Sequence, residues 1–280
     1  MLILFCSLFA LYLWFREARS KDYFRNKHVF ITGASSGIGK SLAIHLATTK
    51  GARVSLAARS LNKLEDICKS IQKKGGSAHV IHLDLCDSSS FTKALEKSFQ
   101  GFGNIDILIA NAAVNNDGKC FASLSLEQID KVIETNLRGT ILFIHLVLMN
   151  MMKDNRGHIV GISSLAGYRG LPMGSIYGAT KAALSNLFES LRIELYCSNV
   201  YITTIHPGFI DTPAIQGMKH PKLFLLSAET AAKKIANAIA QKKYTYSFPW
   251  VMEHIVMRFV RYLPENVFVP LLYLVTRKNI

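Results

Sequence analysis

A nearly continuous apolar run, IDILIANAA (Ile105–Ala113), narrows what this chain can fold into. A strand with one face in water alternates apolar and polar side chains, and this one does not. It reads as a strand buried on both faces, the condition found in a parallel sheet lying between two layers of helices. The rest of the chain agrees. HVFITG (His28–Gly33) is followed by a helical pattern through Lys50, and RVSLAA (Arg53–Ala58) by a charged helix over about Asn62–Lys74. AHVIHLDL precedes a helix over about Ser89–Gln100. Longer helices are expected over Leu126–Lys153 and Gly174–Ser198, flanking the strand GHIVGISS, and VYITTIHPG (Val200–Gly208) reads as a sixth strand. Six repeats of strand then helix imply one right-handed, doubly wound α/β parallel sheet with helices on both faces. At 280 residues the chain suits one such domain with a large core, placed at residues 27–248.

TGASSGIG (Thr32–Gly39) sits where the first strand turns into the first helix. In that context a glycine-rich string serves phosphate binding. Gly33 allows a tight turn, Gly37 lets backbone approach a phosphate, and Gly39 lets helix and strand pack closely. Ser35, Ser36 and Ile38 complete the stretch whose backbone N–H groups would face a pyrophosphate at a positive helix end. A second pattern lies in SSLAGYRGLPMGSIYGATK (Ser163–Lys181). Tyr177 and Lys181, four residues apart, share one helix face. An ammonium beside a phenol favours the ionised form and would bring its pKa down toward neutrality, as a proton donor needs. By spacing alone, the pair is equally an ordinary surface contact.

The Gly-x3-Gly-x-Gly spacing resembles the short-chain dehydrogenase/reductase family. The resemblance covers Lys27 to about Gln241 and continues in order through Asp84-Leu85, ANAA (Ala110–Ala113), Asn136 in ETNLRG, Ser163-Ser164, YGATK (Tyr177–Lys181) and PGFIDT (Pro207–Thr212). It implies a Rossmann-type sheet and nicotinamide chemistry. By that resemblance Tyr177 is the proton donor, and Lys181 lowers its pKa and holds the nicotinamide ribose. Ser164 polarises the substrate oxygen, with Ser163 its less favoured neighbour. Asn136 positions a water leading from Lys181 to solvent. Asp84 and Leu85 border the adenine, Asn111 lines the cofactor cleft, and Pro207, Gly208 and Thr212 close over the nicotinamide. Two departures are Ala113, where the family commonly has Gly, and Ser36, where NADP-using members often carry Lys or Arg.

After the second strand, an NAD site offers an acid to the ribose, whereas an NADP site offers Arg to the 2′-phosphate. Here Ala58 stands where the acid might be and Arg59 follows, so NADPH (NADP+) is favoured over NADH. The alternative for Arg59 is a surface ion pair. His79, His82, His145, His158 and His206 lack ligand spacing, and no metal site is expected.

The first fifteen residues, MLILFCSLFALYLWF, carry no charge and are followed by Arg16, Arg19, Lys21, Arg25 and Lys27. Charge after the run, and none before it, argues for an uncleaved membrane anchor over residues 1–26 with the rest of the chain facing the cytoplasm. A signal peptide and a buried helix are the alternatives. Five scattered cysteines without CxxC pairs suit reduced thiols. The basic excess is uneven. Residues 219–280 hold ten Lys and Arg against three acids. With no groove-reading pattern, a membrane surface fits this charge better than nucleic acid. Residues 249–280 read as an amphipathic helix over Val251–Leu263, broken by Pro264, and then the apolar stretch VFVPLLYLV. That segment either packs on protein or lies in the headgroup region near a substrate mouth.

Together these features predict a membrane-attached, NADPH-dependent reductase of an apolar ketone, similar to 3-ketosphinganine reductases and membrane-bound hydroxysteroid dehydrogenases. A 3-oxoacyl reductase of fatty-acid synthesis and a non-catalytic NADPH-binding scaffold are the competing readings. By analogy with the family, pairing through the two long helices implies a homo-oligomer.

Overall fold

Strand β1 (His28–Thr32) is buried at every position, and its alternate side chains feed two separate cores. Val29 and Ile31 point to one face of the sheet and Phe30 to the other, as the two-residue period of a strand requires. The computed structural model describes residues 22–115, 118–216, 222–252 and 258–276. Beside β1 run β2 (Arg53–Ala58), β3 (Ser77–His82), β4 (Ile107–Ala110), β5 (Gly157–Ile162), β6 (Val200–Pro207) and, after the short parallel pair β7 (Ile210–Asp211) and β8 (Leu226–Ser227), β9 (Thr245–Phe248). The main sheet is parallel throughout, in the order β3-β2-β1-β4-β5-β6-β9. Val29 pairs with Val54 on one side and Ile107 on the other. The chain therefore reverses its direction of travel across the sheet between β1 and β4, which opens a crevice at their carboxyl ends.

One core lies beneath α1 (Gly37–Thr49), α2 (Leu61–Lys73) and α7 (Ala228–Ala240). There Leu42, Leu46, Leu64, Ile235 and Ile239 pack on Val29, Ile31, Leu56 and Ile109. The opposite core lies beneath α3 (Ser90–Phe102), α5 (Thr140–Lys153) and α6 (Ser175–Glu194). In it Phe30 meets Phe143 at 5.2 Å between ring centroids, and Phe91 meets Phe143 edge-on at 5.4 Å. Helix α4 (Leu126–Ile133) starts with a capping box, in which Gln128 N–H bonds to Ser125 Oγ and the Gln128 side chain accepts from Ser125 N–H. Leu126–Lys153 forms one long helix, interrupted by a wider π-turn over Glu134–Gly139. It has the length and apolarity of a membrane span. Its Phe143, Ile144, Val147 and Met151 are nevertheless buried against the sheet, as in a core helix of a folded domain.

Two features differ from the sequence reading. A seventh strand, Thr245–Phe248, extends the sheet beyond β6. Packing begins before Lys27, because Phe24 is fully buried in the first core. Beside it the Tyr23 hydroxyl hydrogen-bonds His158 Nδ1 at 2.9 Å, and Lys27 Nζ lies 3.5 Å from the Tyr23 ring centroid. Of the expected Val251–Leu263 helix, α8 (Arg258–Tyr262) is described and residues 253–257 fall outside the described residues. Helix α9 (Glu265–Thr276) follows. The proposed anchor, residues 1–15 with most of its basic flank, lies outside the described residues as well. The described cysteines, Cys68, Cys86, Cys120 and Cys197, are free thiols.

Candidate active site

The residues assigned from sequence, all but Gly39 and Asn136, line one cleft of about 320 Å³ at the carboxyl ends of the parallel strands. That volume is within the range of small-molecule sites. Its floor is the glycine turn after β1. Gly33 and Gly37 have φ of +68° and +53°, a region that costs other residues strain. A Cβ on Gly37 would come within 3.0 Å of Thr212 Cγ2, so Thr212 faces the turn closely. Ser36 caps α1 without a side-chain hydrogen bond. The first N–H groups of the helix are thus not satisfied by a cap, and they face the cleft lined by Ser35, Ser36, Gly37 and Ile38. Backbone donors at a positive helix end, with no side chain in the way, fit the pyrophosphate of a dinucleotide.

Gly39 is a correction to the set of cofactor contacts. It does not line the cleft; it lies behind the turn, where a Cβ would collide with the Gly33 carbonyl and the Asn111 amide. Asn111 also does more than line the site. Its Nδ2 donates to the carbonyls of Thr32 at 2.9 Å and Gly33 at 3.2 Å, tying the end of β4 to the glycine turn. Thr32, which the sequence did not single out, completes this staple by accepting from the N–H groups of Asn111 and Ala112, both at 3.0 Å. Only the sheet order, which sets β4 beside β1, reveals that role.

Arg59 is exposed at the end of β2, on the cleft wall, and has no ion pair among the described residues. Its side chain is available to a phosphate at the position where an acid would otherwise meet the ribose. Asp84 and Leu85 line the same end. The Leu85 carbonyl is pressed so closely against Gly139 that a Cβ there would collide with it.

The chemical end is built by β5, β6 and α6. Helix α6 brings Tyr177 and Lys181 into the cleft together, with Lys181 Nζ 5.6 Å from the Tyr177 ring centroid. Both are buried. The Ser164 side chain lies near enough to the Tyr177 phenol to favour its ionised form, and Ser164 Oγ accepts from Ala166 N–H at 3.1 Å. The two serines are now distinct. Ser163 Oγ donates to the Lys181 carbonyl at 2.9 Å and meets Ser185 Oγ at 2.8 Å, so it pins α6 to the sheet. Pro207 and Gly208 close the cleft from the end of β6.

Asn136 lies in the π-turn, fully buried and off the cleft wall. Its Oδ1 accepts from Val114 N–H at 2.8 Å, and its Nδ2 donates to the Val114 carbonyl at 2.7 Å and to Thr180 Oγ1 at 3.3 Å. It therefore positions the segment after β4 against the helix that carries Tyr177. A widened helical turn at a functional site is a recurring device.

The electrostatics correct one expectation. Lys181 does not bring Tyr177 below its ordinary range. Burial pushes the phenol up, and the nearby Ser164 side chain offsets only part of that. Lys181 Nζ donates instead to the Ile162 carbonyl at 2.8 Å, and burial brings its own pKa down to about 8. Next to the site, His206 is kept neutral, near a pKa of about 4, chiefly by burial. It stacks on Tyr168 at 4.7 Å and places Nδ1 3.3 Å from the Ser164 carbonyl. No group of three or more His, Cys, Asp or Glu side chains that could hold a metal occurs among the described residues.

Residues 27–222 match the family described as short chain dehydrogenase. An uncharacterized oxidoreductase of Myxococcus xanthus is 34% identical over 238 residues, which cover 85% of this chain and 93% of that protein. Dehydrogenase/reductase SDR family member 7B of Rattus norvegicus is 36% identical over 215 residues, covering 74% of this chain and 65% of that protein. A crystal structure of a short-chain type dehydrogenase/reductase from Mycobacterium marinum superposes with a TM-score of 0.74 at 24% identity, over 82% of this chain and 97% of that one, which bears on the fold alone. The chain belongs to the short-chain dehydrogenase/reductase family of NAD(P)-dependent oxidoreductases.

Proposed function

We propose that this oxidoreductase uses NADPH to reduce the ketone of an apolar, lipid-like substrate to a secondary alcohol, while attached to a membrane. The observation that carries the reading is Ser164, Tyr177 and buried Lys181 together in the same cleft as the glycine turn. Reduced nicotinamide, when bound, supplies the hydride. Tyr177, held neutral by burial, gives its proton to the substrate oxygen as negative charge develops there. Ser164 donates to the same oxygen and fixes its position. The Lys181 ammonium, close to the ring, stabilises the phenolate left behind. Burial keeps the phenol protonated before substrate reacts, which is the form that can give a proton to the developing alkoxide.

Arg59 supports NADPH, since a guanidinium without an ion pair among the described residues suits the 2′-phosphate. An apolar substrate is supported by Pro213, Ala214 and Ile215 on the cleft wall and by the exposed Leu223, Phe224 and Leu225. Membrane attachment with the catalytic domain in the cytoplasm rests on the sequence of residues 1–27.

The test is purified full-length protein with NADPH and a panel of ketones, among them long-chain 3-keto compounds, steroids and short water-soluble ketones. Loss of reduced-nicotinamide absorbance with the long-chain members is expected. Tight NADPH binding without turnover of any ketone would leave the scaffold reading in place.

A further inference from the structure

We propose that helices α8 and α9 form a bilayer-docking surface, and that its occupant is the headgroup and upper acyl region of an anionic membrane. The proposal deepens the functional reading above, since it places the cleft where an apolar ketone would reside. After Glu265, α9 contains no Asp, Glu, Lys, Arg or His. Val267, Val269, Leu271, Tyr273 and Leu274 are 48–59% exposed, and Phe268 turns inward at 8%. A helix apolar on nearly all sides needs a covering that water does not provide. Phe259 and Tyr262 on α8, at 68% and 80% exposed, and Trp250, at 65%, are further large apolar side chains open to solvent in this C-terminal segment. Large apolar surfaces left in water commonly mark a binding role. Tyrosine and tryptophan, with an apolar body and a polar tip, are suited to the membrane interface.

Charge selects among the candidate occupants. Residues 219–280 hold ten Lys and Arg against three acids. A second copy of the chain would bring the same positive field face to face across a twofold axis, which repels. Anionic headgroups would attract it.

The surface is also attached to the chemistry. Arg169 Cζ lies 4.3 Å from the Phe268 ring centroid, and its Nη1 donates to the Arg261 carbonyl at 3.2 Å. Arg261 Cζ in turn sits 5.6 Å from the Tyr168 ring centroid. Tyr168 and Arg169 follow the short turn Leu165–Gly167, which begins at Ser164. A bilayer touching α9 thus meets, through Phe268, an arginine five residues along the chain from the serine that meets the substrate oxygen.

The experiment uses full-length protein carrying Trp14→Phe, so that Trp250 is the sole tryptophan, in vesicles of phosphatidylcholine with or without phosphatidylserine. Bromines on the lipid acyl chains should quench Trp250, more strongly when phosphatidylserine is present. Leu271→Asp combined with Leu274→Asp, both exposed positions, should reduce that quenching. It should also raise KM for a vesicle-borne long-chain ketone about tenfold, the effect of losing roughly one buried leucine, while a short soluble ketone is turned over as before. Unquenched Trp250, or an unchanged KM in the double variant, would overturn the proposal. So would sedimentation showing that the double variant converts a dimer to a monomer while quenching stays the same, since a second copy would then cover the patch. Should no ketone be reduced at all, the enzymatic reading fails, and the quenching result still decides whether the surface docks on lipid.

Discussion

Replacing Arg59 by alanine should separate the two nicotinamide cofactors. Arg59 is exposed on the cleft wall and has no ion pair among the described residues, so its loss removes no internal contact and should leave the thermal midpoint unchanged. A hydrogen bond to a charged group contributes about 1.5–3 kcal/mol, and exposure to solvent places Arg59 at the lower end. About 1.5 kcal/mol corresponds to a roughly tenfold weaker NADPH complex. NADH lacks the 2′-phosphate and should lose less than about twofold, within the scatter of a surface substitution. Fluorescence titration of both cofactors measures each dissociation constant. Repeating it at high salt should shrink the wild-type preference, because exposed charges are screened. Equal weakening of NADPH and NADH would refute the assignment of Arg59 to the phosphate and reopen the choice of cofactor.

Other consequences follow from the packing and the buried histidines. Gly39→Ala places a methyl group against the Gly33 carbonyl and the Asn111 amide. It should cost about 1–3 kcal/mol of stability and weaken NADPH binding together, and unfolding and titration data showing neither change would contradict the close-packing role of Gly39. Phe24→Ala empties a fully buried position ahead of β1 and should cost about 3–5 kcal/mol in chemical denaturation, whereas a loss below about 1 kcal/mol would return residues 22–26 to a linker. His79, His158 and His206 are held neutral, with pKa values near 4, 3 and 4 against 6.5 when unfolded. Below 6.5 the unfolded chain binds protons that the folded chain does not, so stability falls as pH drops from about 6.5 toward 4, by up to about 2 kcal/mol each at pH 5 for the buried His158 and His206 and by less for the part-exposed His79. A denaturation midpoint that is flat between pH 7.5 and 5 would contradict this.

Much of the site was legible because its residues are fixed by local rules. A glycine string between strand and helix, and a Tyr and Lys one helical turn apart, carry their meaning in spacing. So does the both-face burial of Ile107–Ala110, which declared a parallel sheet. What the sequence hid depends on which strands become neighbours. The staple from Asn111 and Thr32 requires β4 to lie beside β1, and the separation of Ser163 from Ser164 requires the back of α6 against β5. The strand at Thr245–Phe248 is four residues long, wedged between a lysine pair and Pro249, and gains its partners only from β6. The direction of the Tyr177 shift was misread for a related reason. Spacing shows that an ammonium is near, whereas desolvation, which dominates here, depends on everything packed around the phenol.

The central claim is that the Tyr177 phenol, neutral in a buried pocket, supplies the proton that completes ketone reduction. The most direct measurement is the single-turnover rate of hydride transfer from bound NADPH in Tyr177→Phe, with the NADPH dissociation constant determined on the same sample. The account predicts a rate lower by about 10²–10⁴, the usual contribution of a positioned acid, with cofactor affinity within about twofold of wild type. A rate within about tenfold of wild type, at equal affinity, would show that the proton comes from elsewhere.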